Sequence, residues 1–194
     1  MAQNDEAVLT AAVGYVYTAP VGTAAPTPSA LKTISLTSTA LWTPSAWKSV
    51  GHTSRGTLPE FGFEGGDAEI KGSWQKKKLR EIQSEDPVDY LTVVLHQFDE
   101  EGLELYYGSN ASATEGIFGV TSGVTPLERA VLVVIEDGDL RLGFHSHKAS
   151  VKRDEAMELP IDDLASLPVR FTFLDYNSEL LFSWINEDLF NVTP

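Results

Sequence analysis

His145 and His147 stand two apart in a run that reads as a β-strand, so both imidazoles would face the same way and could chelate one metal ion. A third ligand would have to come from elsewhere, and Arg141 falls on the same face; a solvated polar strand face is therefore favoured over a metal centre. Other signs of chemistry are sparse. There is no Gly-x-Gly-x-x-Gly and no phosphate loop, and Ser122 has Val120, not glycine, two residues before it, which removes a nucleophile elbow. The chain holds no cysteine, so disulfide scaffolds, zinc ribbons and thiolate catalysis are excluded. Among 28 acidic residues a glycosidase-like carboxylate pair is conceivable, yet no two are singled out. No catalytic, cofactor-binding or metal-ligating residue is assigned, and a non-enzyme is expected.

Three further features carry weaker signals. Asn110-Ala111-Ser112 and Asn191-Val192-Thr193 fit the glycosylation acceptor pattern but lack an export signal to give it meaning. Trp42, Trp47 and Trp74 would serve a sugar-stacking platform, although such residues are more often core or interface anchors. The segment Trp74-Gln75-Lys76-Lys77-Lys78-Leu79-Arg80 places four positive charges in five residues of an otherwise acidic chain. If a strand continues through it, Lys76 and Lys78 share a face with Trp74. Two readings stay open there: a seam against an acidic surface of another subunit, or an edge strand whose lysines oppose aggregation.

The elements that must position these residues follow from charge and periodicity. The net charge is −14, with 14 basic residues, and it is unevenly placed. Residues 1–60 hold three acids and three bases, so residues 61–194 carry the whole imbalance. A generally basic nucleic-acid grip is thereby excluded. Within the neutral part, 20 of the 29 residues from Ala19 to Trp47 are Ala, Ser, Thr or Pro. Pro20, Pro26, Pro28 and Pro44 argue against helix; the stretch reads as a disordered linker or, in preference, as an extended, uncompact arm ordered against a partner, and the alternation around Leu31 to Leu36 suggests at least one strand inside it. Deleting residues 19–46 should then leave a folded domain.

Past residue 60 a two-residue period dominates. Strands are expected at Ala68 to Trp74, around Leu91 to Leu95, and at Ala130 to Ile135. Further strands follow Asp137-Gly138-Asp139, a hairpin turn signal, and occupy Ser150 to Leu159, Val169 to Leu174 and Leu180 to Trp184. One helix is expected after Asp99, with Glu100 and Glu101 in its first turn and Gly108 ending it; Ile161 to Leu167 is a second, shorter candidate. The predicted architecture is a mainly β antiparallel sandwich or barrel with one flanking helix and an extended N-terminal arm or loop. It has a neutral part, 1–60, and an acidic core, 61–194, in one domain. No apolar run reaches the roughly 18 residues of a membrane span, and Ala7 to Tyr17 follows Asp5 and Glu6 with no Lys or Arg before Lys32, so synthesis in a cytoplasm is expected.

Several short motifs, taken together, carry a resemblance. These are Gly14-Tyr15-Val16-Tyr17 with Ala19-Pro20-Val21-Gly22-Thr23, the stretch Trp47 to Ser54, Phe61-Gly62-Phe63-Glu64-Gly65-Gly66-Asp67-Ala68-Glu69, Gly72-Ser73-Trp74-Gln75, and Phe98 to Gly108. Across roughly residues 11–185 the chain resembles the major tail, or tail tube, proteins of long-tailed bacteriophages, most closely those of phages infecting actinobacteria. The resemblance implies a β-sandwich with a flanking helix, six copies closing into rings, and rings stacking into the tube of a virion tail after assembly in the host cytoplasm. It implies tape-measure, tail terminator and distal tail proteins as partners, no cofactor and no membrane, with arms or a long hairpin reaching neighbouring subunits. On this expectation an acidic lumen lets DNA pass without phosphate neutralisation. Trp74, Lys76, Lys77, Lys78 and Arg80, with Lys148, Lys152 and Arg153, become the candidate seam residues. The alternatives are a tail terminator or connector ring, an acidic DNA mimic that inhibits a nucleic-acid enzyme, and a sugar-binding sandwich.

Overall fold

The computed structural model describes residues 4–38, 42–123 and 126–190. After a short 3-10 turn the chain forms β1 (Val13–Ala19), α1 (Pro28–Thr33), β2 (Lys48–Ser49), β3 (Glu60–Glu64), β4 (Ala68–Lys71), β5 (Arg80–Gln83), β6 (Val88–Leu95) and α2 (Glu100–Tyr107). It ends with β7 (Leu127–Asp137), β8 (Leu140–Arg153), β9 (Leu167–Phe173) and β10 (Ser183–Ile185). The main sheet runs β2-β1-β7-β8-β9-β6-β3 with β10 beside β8, every described pairing antiparallel; β4 and β5 form a separate two-stranded sheet.

The two ends of the main sheet meet. Beyond β2 the Val50 amide donates to the Val16 carbonyl of β1, and three residues later Thr53 bridges Leu95 of β6. Ser54 N–H donates to Val94 and His96 N–H to His52, so residues 48–54 tie one side of the sheet to the other. The sheet thus curls into a barrel, which satisfies edges that would otherwise be open. Phe61 of β3 reaches across the interior to Phe144 of β8, with ring centroids 4.5 Å apart.

Two cores result from alternation on the strands, with a register shift at Arg129–Val131 in the β7–β8 ladder that lets both Phe144 and Val151 of β8 face inward. Val16, Val131, Val133, Phe144, Val151, Val169 and Phe171 point inward with Leu91, Val93 and Leu95, and Leu105 and Tyr106 of α2 pack onto them. Their neighbours Tyr17, Ala130, Leu132 and Val134 point outward and are equally buried, because Leu31, Leu36, Trp42 and Trp47 cover them. The covering residues all come from the Ala/Ser/Thr/Pro-rich stretch. The segment expected to be an uncompact arm is an extended loop packed as a second layer on its own sheet.

The prolines do not exclude helix from this layer. Instead of a strand, Pro28 to Thr33 forms a helical turn; Pro28 sits in its first turn, where a missing N–H costs nothing, and the Thr27 hydroxyl accepts from the Ala30 amide. The apolar Leu31 faces the sheet from this helix. α2 follows the expected course: Asp99 Oδ1 accepts from the Gly102 amide at 2.9 Å, and Gly108 ends the helix at φ 93°. Gly102 is required there, since a Cβ would collide with the Gln97 carbonyl. Gly138 at φ 60° with Asp139 makes the two-residue turn between β7 and β8. The expected separate strands after that turn are one 14-residue strand, β8, and Ile161 to Leu167 is not helical.

Candidate assembly surfaces

Between β3 and β6 the chain leaves the barrel. Gly65 and Gly66, both at φ 76°, turn it out of β3, where any other residue would be strained. β4 and β5 pair in register from Ala68↔Gln83 to Lys71↔Arg80, and no other element packs against them to a comparable extent. The sequence expectation of one strand through Trp74 and beyond fails at Gly72, where a Cβ would strike the Lys77 carbonyl. A tight turn follows, in which the Ser73 amide donates to the Lys76 carbonyl at 2.7 Å and the Lys76 amide donates back to Ser73. Lys76, Lys77 and Lys78 therefore crown a hairpin tip; they do not alternate along a strand.

That tip is both basic and apolar. Trp74 is fully exposed, and Ile70 and Leu79 are about half exposed. Lys71 is ion-paired with Glu69, whereas Lys76, Lys77, Lys78 and Arg80 have no ion pair among the described residues. Residues 72–80 carry four positive charges and no acid. A solvated projection would not need an exposed indole; an anchor for another surface would.

The other candidate seam residues lie on β8, apart from the hairpin. Lys148 is held by Glu128 at 3.1 Å within its own chain. Lys152 and Arg153 are exposed at the end of β8. Beside them Arg170 makes a two-pronged contact with Glu64, 2.8 Å to each carboxylate oxygen, and its guanidinium lies 3.6 Å over the Tyr90 ring. That hydrogen bond lowers the Glu64 pKa, with a smaller contribution from Lys152. The pair pins the root of the hairpin to β9.

The histidine pair is not the solvated face expected of it. His145 is 3% exposed, its Nε2 lies 3.0 Å from the Thr23 carbonyl, and Trp47 meets it edge-on at 5.7 Å between centroids. Burial lowers its pKa to about 4, the Thr23 contact opposing and the nearby His147 adding to the effect. Arg141, on the same face, donates to the carbonyls of Leu31 and Ile34 and pairs with Glu136 at 3.2 Å. Among the described residues no group of three His, Asp or Glu side chains is placed to hold a metal ion. The face is a staple for the Ala/Ser/Thr/Pro-rich layer.

The remaining signals take structural roles. Asn110 Oδ1 accepts from the amides of Ser112 and Gly119, closing a loop; Asn191-Val192-Thr193 lies outside the described residues. Trp42 and Trp47 are buried and Trp74 is on the hairpin, so the three form no common platform. What sequence reading missed was the hairpin itself; the paired glycines Gly65-Gly66 and the turn Gly72-Ser73, symmetric about a short strand, were the available signal.

Against known proteins, the chain matches the family described as "Phage tail tube protein" over residues 1–194. It is 72% identical over 195 residues to "Major tail protein Gp23" of Mycobacterium phage D29, covering 100% of this chain and 98% of that one. It is also 72% identical over 193 residues to "Major tail protein Gp23" of Mycobacterium phage L5, covering 99% and 97% respectively.

Proposed function

This chain belongs to the phage tail tube protein family, a structural component of the virion tail and not an enzyme, and from that premise we propose that six copies close into a ring, that rings stack into a tube, and that genome DNA passes along an acidic lumen. The observation that carries this reading is the β4–β5 hairpin: a projection with an exposed tryptophan and four cations that have no ion pair among the described residues, standing clear of the main sheet. Such a device has a use when another copy receives it.

Charge supports the transport role. Six copies at −14 each bring −84 to a ring, and carboxylates offer phosphate no counterion release, so DNA has no sequence-independent hold on the wall. The same charge opposes assembly over about 10 Å at 0.1 M salt, a cost that apolar and oppositely charged seams offset. Trp74, Lys76, Lys77, Lys78 and Arg80 are the leading seam residues, with Lys152 and Arg153 behind them. Lys148 contributes less because Glu128 already engages it.

Two relatives named as major tail proteins favour a many-ring tube over a single terminator or connector ring. The family also takes the place of the DNA-mimic and sugar-binding readings. Tape-measure, terminator and distal tail proteins are the expected partners, met in the cytoplasm of the bacterial host. Negative-stain electron microscopy of the concentrated protein tests the proposal: tubes of uniform width with an axial repeat are expected. Single rings that never stack would return the terminator reading, and monomers that persist even with a tape-measure partner would contradict both.

A further inference from the structure

We propose that the basic tip of the β4–β5 hairpin of one copy docks on loop 154–165 of a second copy, an ordered acidic loop bearing exposed aliphatic side chains; the inference rests on the tube reading above. Loop 154–165 joins β8 to β9. Asp154, Glu155, Glu158, Asp162 and Asp163 lie in it, all exposed, and even with Lys152 and Arg153 beside it the segment 152–165 is net −3, five acids against two bases. Leu159, Ile161 and Leu164 are 71%, 104% and 65% exposed. Isolated exposed aliphatics need no explanation, but three within six residues do.

This loop is built, not loose. At its base Glu158 and Ser166 exchange both backbone hydrogen bonds, 3.1 and 2.9 Å. The Tyr106 hydroxyl of α2 donates to the Glu155 carbonyl at 2.7 Å, His96 Nδ1 lies 2.9 Å from the Ala165 carbonyl, and Met157 packs against the inner core. The ends and one internal side chain are fixed, which leaves the outer three aliphatics held out toward solvent instead of collapsing onto the barrel.

Strand register sets where the two surfaces lie. The hairpin returns to the barrel at Val88, the first residue of β6, while Leu95, the last, pairs with Leu167, where the loop enters β9. Seven residue steps of about 3.4 Å separate these points by roughly 24 Å along the strand. Hairpin and loop therefore occupy opposite ends of β6 and β9, and no described hydrogen bond or ion pair joins them within one chain. The two surfaces match in kind: Trp74 and Leu79 with four cations on one, Leu159, Ile161 and Leu164 with five carboxylates on the other. A contact between opposite ends of identical subunits is heterologous, and repeated along an axis it grows without closing, as stacking of rings requires.

Charge exchange tests this. Reversing the tip (Lys76→Glu, Lys77→Glu, Lys78→Glu) and separately reversing the loop (Glu158→Lys, Asp162→Lys, Asp163→Lys) should each raise the protein concentration needed for tubes by about tenfold or more, because like charges then face each other across the contact. Thermal melting confirms that each variant is folded. A chain carrying both reversals should regain tubes near the original concentration. Since the chain has no cysteine, Trp74→Cys and Ile161→Cys placed on separate chains should also join through a bis-maleimide only when the two are co-assembled. Tubes that survive loop reversal, or a double reversal no better than either single one, would overturn the docking while leaving the tube intact. A wild-type protein that forms no tube under any condition would remove the tube reading and this inference together.

Discussion

The stretch from Ala19 to Trp47 and the hairpin from Gly66 to Glu85 both lie outside the main sheet and carry only a few large apolar residues, yet they end in opposite places. The described residues of the first pack on β1, β7 and β8, with Trp47 1% and Leu31 1% exposed. The second stands clear of the barrel with Trp74 wholly in solvent. The difference comes from what each one finds. Outward-facing Tyr17, Leu132 and Val134 leave an apolar sheet face that must be covered, and a few anchors spaced along the neutral stretch suffice to cover it. The hairpin has no such face within its own chain. One segment completes the subunit; the other stays exposed.

The largest expected effect follows from the first segment. Deleting residues 19–46 should abolish the cooperative unfolding transition, because it strips Leu31, Leu36 and Trp42 from the outer core; a deletion protein that melts like wild type would return this stretch to the status of an arm. Next, Trp47→Ala should cost about 3–5 kcal/mol, read from denaturant midpoints, since it empties a buried site and frees the Ala24 carbonyl that the indole N–H engages at 3.1 Å.

A somewhat smaller effect depends on pH. His145 titrates near 4 when folded and near 6.5 when unfolded, so the unfolded state takes up its proton first. Stability is therefore full above about pH 6.5 and falls as the pH drops toward 4, by about 3 kcal/mol for this group. The His147 ring meets that of His145 with centroids 4.4 Å apart, and the Glu179 carboxylate lies 3.7 Å from His147 Nε2. The stability-versus-pH curve of His145→Gln should be flatter than wild type over that range, and an unchanged slope would show that the histidine is not the sensor. The smallest effect on stability belongs to the hairpin: Trp74→Ala should change unfolding free energy by no more than about 0.5 kcal/mol while reducing assembly. A loss several times larger would mean that the hairpin is core after all.

Much of the barrel was legible because alternation is a local signal. Leu91, Val93 and Leu95, the Asp137-Gly138-Asp139 turn and the Asp99 cap each announce their structure within a few residues. The outer core was not legible, since composition alone makes an Ala/Ser/Thr/Pro tract look uncompact, and only the two-sided burial of β7 reveals the need for a cover. Prolines misled for a related reason: at the first turn of a helix Pro28 is an asset. On the assembly side the basic cluster was visible as charge, but a strand reading hid its position at a tip, because the tight turn at Ser73 depends on a glycine, Gly72, whose importance lies in its close approach to the backbone of Lys76 and Lys77.

The most direct test is electron microscopy of a protein in which residues 67–84 are replaced by a short glycine-serine turn, imaged beside wild type at equal concentration. Wild type should give tubes, and the shortened chain only folded, unassembled or poorly assembled subunits. Tubes of normal length and width from the shortened chain would contradict the assembly role of the hairpin.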